Sequence, residues 1–495
     1  MPEAHQNPHH ERRWLILVVI ALAQLMVVLD ATVVNIALPS AQKALSFTDD
    51  QRQWIVTAYA LAFGSLLLLG GRIGDLFGRK RVLIIGLGGF AVASAFGGLA
   101  QSFDMLVAAR ALQGLFGALL APAALSLLTT TFVDAGERAK AFGIFGAVAV
   151  GGAAIGLIMG GLLTEYLSWR WCLYVNLLFA IPTAIAAVGL LHNEPAEAGS
   201  RIDIPGTVAA TTGLFAIVYG LANAQTHSWT APLTIGMLVA GAVILAGFVA
   251  IQRRSAHPLL PLRVVVDRDR GGSLVAMGLS GAGMFGVFLF LTYYMQETLG
   301  FSPVKTGLAF LPMTAAIVVS ATGGSTKLLP KLGPRPLIGG GMLVAAAGLI
   351  SLTTIGIGTG YASHVLPGLL LMGLGLGLVF SSAMATATFG VEPHDSGVAS
   401  AMVNTMQQIG GSIGTALLST LAASAVTAEL AGVAGRPGPA DLARAAVHGY
   451  TTAFWWAAGL YIGGAVVCSA LLTSRSRMVA AGAAVPGGEP VLVHG

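Results

Sequence analysis

Residues 14–38 read Trp14-Leu-Ile-Leu-Val-Val-Ile-Ala-Leu-Ala-Gln-Leu-Met-Val-Val-Leu-Asp30-Ala-Thr-Val-Val-Asn-Ile-Ala-Leu38, and Asp30 is the single formal charge in the run. As a helix rising 1.5 Å per residue, such a run is about 37 Å long. That is enough to cross a hydrocarbon core of about 30 Å. In lipid every backbone N–H and C=O must be paired within its own segment, so a run of this length is a helix. Barrel strands would be shorter and would alternate in polarity. Arg12 and Arg13 ahead of it imitate a signal peptide. No small-residue cleavage site follows, however, and the apolar pattern continues past Asp30, so the run reads as a retained first span.

Outward from this run, thirteen more apolar runs follow, at 52–70, 81–101, 105–129, 139–163, 169–191, 204–223, 231–251, 273–296, 305–326, 335–356, 361–382, 397–423 and 447–472. The composition agrees: 55% of the 495 residues are hydrophobic and 9% charged, against about 25% charged in a soluble domain. Disorder, a collagen-like chain, a disulfide scaffold and nearly any soluble enzyme are excluded. The expected fold is an all-α polytopic membrane protein with 14 transmembrane helices. The net charge of +5 does not point to nucleic acid, because the cations sit in short connections between spans. With the amino terminus in the cytoplasm, inner segments hold 19 of the 26 Lys and Arg residues and outer segments six, while Arg110 lies within a span. This bias is what the positive-inside rule requires, and it places both termini in the cytoplasm.

Weak internal repetition supports a 6 + 2 + 6 arrangement. The basic loop Gly71-Arg-Ile-Gly-Asp-Leu-Phe-Gly-Arg-Lys-Arg81 has a shorter counterpart in Lys331-Leu-Gly-Pro-Arg335. The expected organisation is a tail (1–13), a six-helix half (14–191), two inserted helices with a basic loop (192–272), a second six-helix half (273–472) and a tail (473–495). Related halves of this kind are typical of secondary transporters.

Asp30 and Arg110 are the only Asp, Glu, Lys or Arg residues deep within spans. Counted along their helices they reach similar depths in the outer half of the membrane. Ionisable residues at such depth face the protein interior and default to a functional role. Asp30 is read as a proton carrier beside Arg110; the alternative is a static ion pair locking two helices. Gln113 and Gly114 follow Arg110 by about one turn. In Gly71–Arg81 the glycines Gly71, Gly74 and Gly78 permit a tight inner turn that sets Asp75 among cations, Arg79 included. A carboxylate there can cap a helix or pair across the halves in one conformation only, as a gate needs. Gly152, Gly156 and Gly160, with Gly161, form a ladder whose default is close helix packing, with a hinge as the alternative. Trp54, Tyr59, Asn404, Gln407 and Gln408 are candidate cavity residues. Their alternatives are interface anchoring for the aromatics and helix–helix bonding for the amides.

Other signals carry no chemistry. Gly300-Phe-Ser-Pro-Val-Lys-Thr306 imitates a phosphate loop, but Val304 stands where a second glycine is needed. Cys172 and Cys468 lie at or within spans, and His5, His9 and His10 form a short polar tail. No metal, cofactor, ATP site or nucleophile–base set is expected, and the chain is not read as an enzyme.

Together Leu29–Pro39, Gly71–Arg81 and Arg110–Gly117 make the chain resemble the major facilitator superfamily, in its fourteen-helix drug:proton antiporter branch. The resemblance covers nearly the whole chain. It implies export of lipophilic antibiotics or other toxic small organics in exchange for protons, by alternating access, across a bacterial inner membrane. It also assigns Asp30 and Arg110 to proton coupling, and Asp75, Arg79 and Asp134 to the inner gate. One departure is visible: Leu157 follows Gly156 where the branch has a proline, which implies a straighter fifth helix. Spans nine to fourteen hold no deep acidic residue, so neutral or singly charged lipophilic substrates are expected. Arg outnumbers Lys 20 to 6, which suits a high-GC bacterium. The expected partners are protons, a lipophilic small molecule and the bilayer, with the chain acting as a monomer. The weighed alternatives are a proton-coupled nutrient symporter and a non-transporting scaffold or sensor.

Overall fold

The computed structural model describes residues 12–48, 51–132, 134–192, 203–255, 258–260, 262–324, 328–389, 391, 396–433 and 437–473. His5, His9 and His10, named above, lie outside them. Among the described residues there is no strand, and the long helices are α1 (Arg13–Leu45), α2 (Gln53–Phe77), α3 (Arg79–Gly98), α4 (Phe103–Thr131), α5 (Ala135–Tyr166), α6 (Trp171–Leu190), α7 (Ile204–Thr226), α8 (Pro232–Arg254), α9 (Arg268–Tyr293), α10 (Pro303–Gly323), α11 (Pro334–Leu352), α12 (Leu366–Thr388), α13 (Ser396–Ala431) and α14 (Pro439–Leu471). Twelve of them are long and apolar enough, by length and composition, to cross a membrane. Of the remaining two, α2 contributes a shorter apolar stretch, Gln53–Leu67, and α5 is 32 residues long.

Local chemistry sets where the helices start. Ser102 accepts from the Met105 N–H, Asp203 from Gly206, and Ser302 from Lys305, each satisfying an N–H that the first turn leaves free. Prolines occupy the first turns of α7, α8, α10, α11 and α14, where the missing N–H costs nothing. Pro439, with Asp441 bonding back to the Gly438 N–H at 3.1 Å, starts α14 eight residues before the apolar run at 447.

The packing pattern repeats. In the first half α4 packs on α1, α2 and α3, while α5 packs on α1 and α6 on α1 and α3. Every one of these pairs recurs eight helix numbers later, among α9 to α14. The halves meet where α2 lies against α13 and α5 against α10, a pairing that the same shift maps onto itself. Helices α7 and α8 pair with each other, and α7 rests on α13 and α2.

Ends of helices that should coincide do so. Arg13 pairs with Glu137 at the start of α5 (2.8 Å), and Thr473 bonds Asp269 at the start of α9. The Arg72 guanidinium, near the end of α2, donates to the Pro258 carbonyl just before α9. Both described chain ends therefore lie at one end of the bundle, here the near end. Outward faces are apolar: Val92, Leu178, Ile185, Val243, Val319 and Val466 are each about two-thirds exposed, which is the surface a bilayer would cover.

Candidate functional site

The site grows from α1. Asp30 is fully buried, and its Oδ2 accepts from Arg110 Nη1 at 2.6 Å. Its Oδ1 accepts from Gln113 Nε2 at 2.9 Å and from Asn176 Nδ2, on α6, at 2.7 Å. Arg110 also donates to Gln113 Oε1 (2.7 Å) and, through Nε, to the Ile55 carbonyl (3.2 Å). Gln113 reaches on to Ser94 Oγ of α3 at 2.8 Å. The guanidinium lies over the Tyr59 ring, 4.4 Å from its centroid. One carboxylate thus ties together α1, α2, α3, α4 and α6. The desolvation of its charge is offset by an opposite charge and by neutral donors, the condition for a buried pair to persist.

Toward the far end α1 enters apolar packing, with Val34, Ala37 and Leu38 buried in one cluster with Ile55, Leu106 and Leu173. Beyond that packing the halves are clasped. Lys43 pairs with Glu297 at 2.9 Å, and the Tyr293 hydroxyl donates to Gln42. Gln296 donates to the Ile36 carbonyl (3.0 Å), while Glu165 accepts from the Val304 N–H (3.0 Å). Arg52 lies 4.2 Å from the Tyr293 ring centroid and 5.9 Å from that of Tyr450.

Elsewhere the structure redistributes the expected residues. Gly71, Gly74 and Asp75 are not in a loop, because α2 continues to Phe77. Gly78 alone makes the turn: its φ of +89° is in the region that favours glycine, and its N–H bonds the Gly74 carbonyl at 3.0 Å. The Asp75 side chain lies outside the described residues. Arg79 is the first residue of α3, and the neighbouring Lys80 ammonium bonds the Val188 and Leu191 carbonyls that end α6. Asp134 caps α5, accepting from the Glu137 N–H at 2.9 Å.

The α5 glycines are a packing face. A Cβ at Gly152 would press on Leu25, at Gly156 on Thr32, and at Gly160 on Val33, all of α1. Gly161 faces Pro303 and Val304 of α10 instead. Gly114 brings α4 against the Tyr59 carbonyl of α2. Leu157 is fully buried in a helix that runs unbroken from Ala135 to Tyr166. Of the cavity candidates, Tyr59 lies beneath Arg110, and Trp54 packs on Tyr219 of α7 (6.2 Å between centroids). Gln407 presents its backbone to Gly281 of α9, Gln408 packs near Gly64 of α2, and Asn404 is exposed. Asn176 and Ser94 were missed from sequence. The available signal was a lone amide in the apolar run Trp171–Pro182.

The profile of the Major Facilitator Superfamily matches residues 20–415. The puromycin resistance protein pur8 of Streptomyces alboniger is 50% identical over 468 residues, covering 94% of this chain and 92% of that protein. The cephamycin export protein CmcT of Amycolatopsis lactamdurans is 37% identical, over 86% and 88%. Among solved structures, the POT family transporter PepTSo superposes with a TM-score of 0.68 at 16% identity, over 92% of this chain and 97% of that one.

Proposed function

The chain belongs to the Major Facilitator Superfamily; it is a multi-pass membrane transporter rather than an enzyme, and we propose that it exports lipophilic antibiotics in exchange for protons by alternating access. The observation that carries the proposal is the Asp30–Arg110–Gln113–Asn176 cluster: one buried carboxylate whose two oxygens accept from three side chains, all within the first half. In this reading Asp30 takes and releases the proton and Arg110 holds the empty carboxylate. The far-end clasp is then the closed outer gate.

The proposal takes all fourteen long helices as spans, in a bacterial inner membrane with both termini cytoplasmic. It keeps the division into halves 14–191 and 273–472 around an inserted pair at 192–272, and the repeating packing supports that division. The near-end residues Gly71, Gly74, Asp75, Gly78, Arg79 and Asp134 belong to the inner gate. No cofactor or ATP enters the cycle; the proton gradient drives it, and the chain works as a monomer. The relatives' names make puromycin the first probe.

Everted vesicles carrying the protein test this directly. With the interior made acidic, the wild type should accumulate labelled puromycin and lose it when the gradient is collapsed. Asp30→Asn should accumulate none. Accumulation that survives Asp30→Asn, or that needs the opposite gradient, would count against proton-driven export.

A further inference from the structure

The partners of Asp30 are not equivalent, and the difference bears on how it is loaded. Every group bonded to its two oxygens is a donor: Arg110 on Oδ2, Gln113 and Asn176 on Oδ1. A carboxylate suits that arrangement, because it can only accept. A protonated carboxyl does not, since its new O–H needs an acceptor and a buried unpaired donor is costly. Gln113 cannot supply one. Its Oε1 is engaged by Arg110 Nη1 and its Nε2 by Ser94, so exchanging its ends would set its N–H groups against those of Arg110. Asn176 can. Its Nδ2 holds Asp30, while its fully buried Oδ1 has no hydrogen-bond partner among the described residues.

We propose that Asn176 is a positioning residue for the proton-loading step, turning its amide end over end so that it donates to Asp30 when the carboxylate is empty and accepts from it when the proton is bound. The proposal rests on the proton-coupling reading of Asp30 and adds the group that can offer its carboxyl a donor in one state and an acceptor in the other. Proton transfer is balanced within it: the proton arrives on Asp30 Oδ1 from the aqueous phase and leaves the same way, and Asn176 changes only which end it presents.

The other titratable or charged groups that face Asp30 do not meet this need. Arg110 of α4 is a donor only. Tyr59 of α2 meets Arg110 with its ring face, and its buried hydroxyl, bonded to no described residue, lies by Gly117 of α4, one turn beyond Gln113. Cys172 of α6 bonds Thr164 and the Gly160 carbonyl. From α5 the glycines Gly152, Gly156 and Gly160 face α1 around Asp30, and Glu137 pairs with Arg13 at its start. Tyr293 and Glu297 of α9 lie against Gln42 and Lys43, about 18 Å further along α1. Lys305 of α10 rests on Phe301 at 3.8 Å.

The test is infrared difference spectroscopy of the full chain in lipid nanodiscs across a pH titration, without substrate. Asp30 is assigned by the loss of its protonated-carboxyl band in Asp30→Asn, and the asparagine amide by carbonyl labelling together with Asn176→Leu. The wild type should show an Asn176 amide shift with the same pH midpoint as the Asp30 carboxyl band. Asn176→Leu should lose that amide shift, and its protonated Asp30 carboxyl band should move to higher wavenumber because the amide partner is gone. Asn176→Ser keeps a hydroxyl that can both donate and accept, and its carboxyl band should lie closer to the wild type than that of Asn176→Leu. An amide band silent while Asp30 is protonated overturns the proposal, and so does an Asn176→Leu carboxyl band at the wild-type frequency. The absence of any Asp30 band in the wild type refutes instead the underlying proton-coupling reading. Should Asn176→Leu fail to fold, the labelled wild type still decides, with Asn176→Ser identifying the amide band.

Discussion

At the scale of single residues, the Asp30–Arg110 pair shows how a scarce residue type becomes informative. Two charges deep in an apolar chain had to face inward, and they meet at 2.6 Å. Removing one partner of a buried pair typically costs about 3–5 kcal/mol, because the other charge remains buried. Arg110→Ala should therefore unfold at a clearly lower temperature in detergent. Arg110→Lys should recover part of the loss, since it keeps the charge but not the fork that spans Asp30, Gln113 and the Ile55 carbonyl. The double variant Asp30→Asn/Arg110→Met removes both charges and should be more stable than Arg110→Ala while remaining inactive. Equal unfolding temperatures for wild type and Arg110→Ala would mean that the pair does not hold α1 to α4. Asn176 escaped the same logic for a physical reason: a neutral amide in a span has many packing and bonding uses, whereas a charge has few.

At the scale of helices, the apolar runs were legible because lipid penalises every unpaired backbone group. Helix ends were not, because polar turns continue a helix beyond the apolar region. The loop expected at Gly71–Arg81 is two more turns of α2 and a single left-handed glycine. The α5 ladder was legible as spacing and is now legible as contact. A Cβ at Gly156 meets Thr32 Oγ1 and comes within 3.2 Å of the Leu29 carbonyl, whereas one at Gly151 meets nothing within 4 Å. Gly156→Ala should thus cost about 1–3 kcal/mol by overpacking, and Gly151→Ala should be neutral or slightly stabilising through helix propensity. Adding Thr32→Ala to Gly156→Ala should restore most of the loss. Thermal unfolding of the four proteins checks this, and equal effects at 151 and 156 would contradict the close α1–α5 approach.

At the scale of the whole molecule, the repeat eight helices apart explains why two interfaces, α2–α13 and α5–α10, carry the contact between halves. Sequence comparison within the chain showed the repeat only faintly, because what is preserved is which helices touch rather than which residues they use. The far-end clasp was not legible at all: Lys43 and Glu297, or Gln42 and Tyr293, are some 250 positions apart, and each alone looks like an ordinary polar helix end. If transport requires this end to open, joining the halves there should stop it. Lys43→Cys/Glu297→Cys suits the experiment, since both parent side chains are well exposed and the native Cys172 and Cys468 are buried. Treated with a short reducible bifunctional thiol reagent, the double variant should stop accumulating puromycin in everted vesicles, and reductant should restore it. Each single variant should continue to transport after the same treatment. Undiminished transport by the cross-linked protein would show that the far end need not separate, and with it the assignment of the clasp as the outer gate would fall.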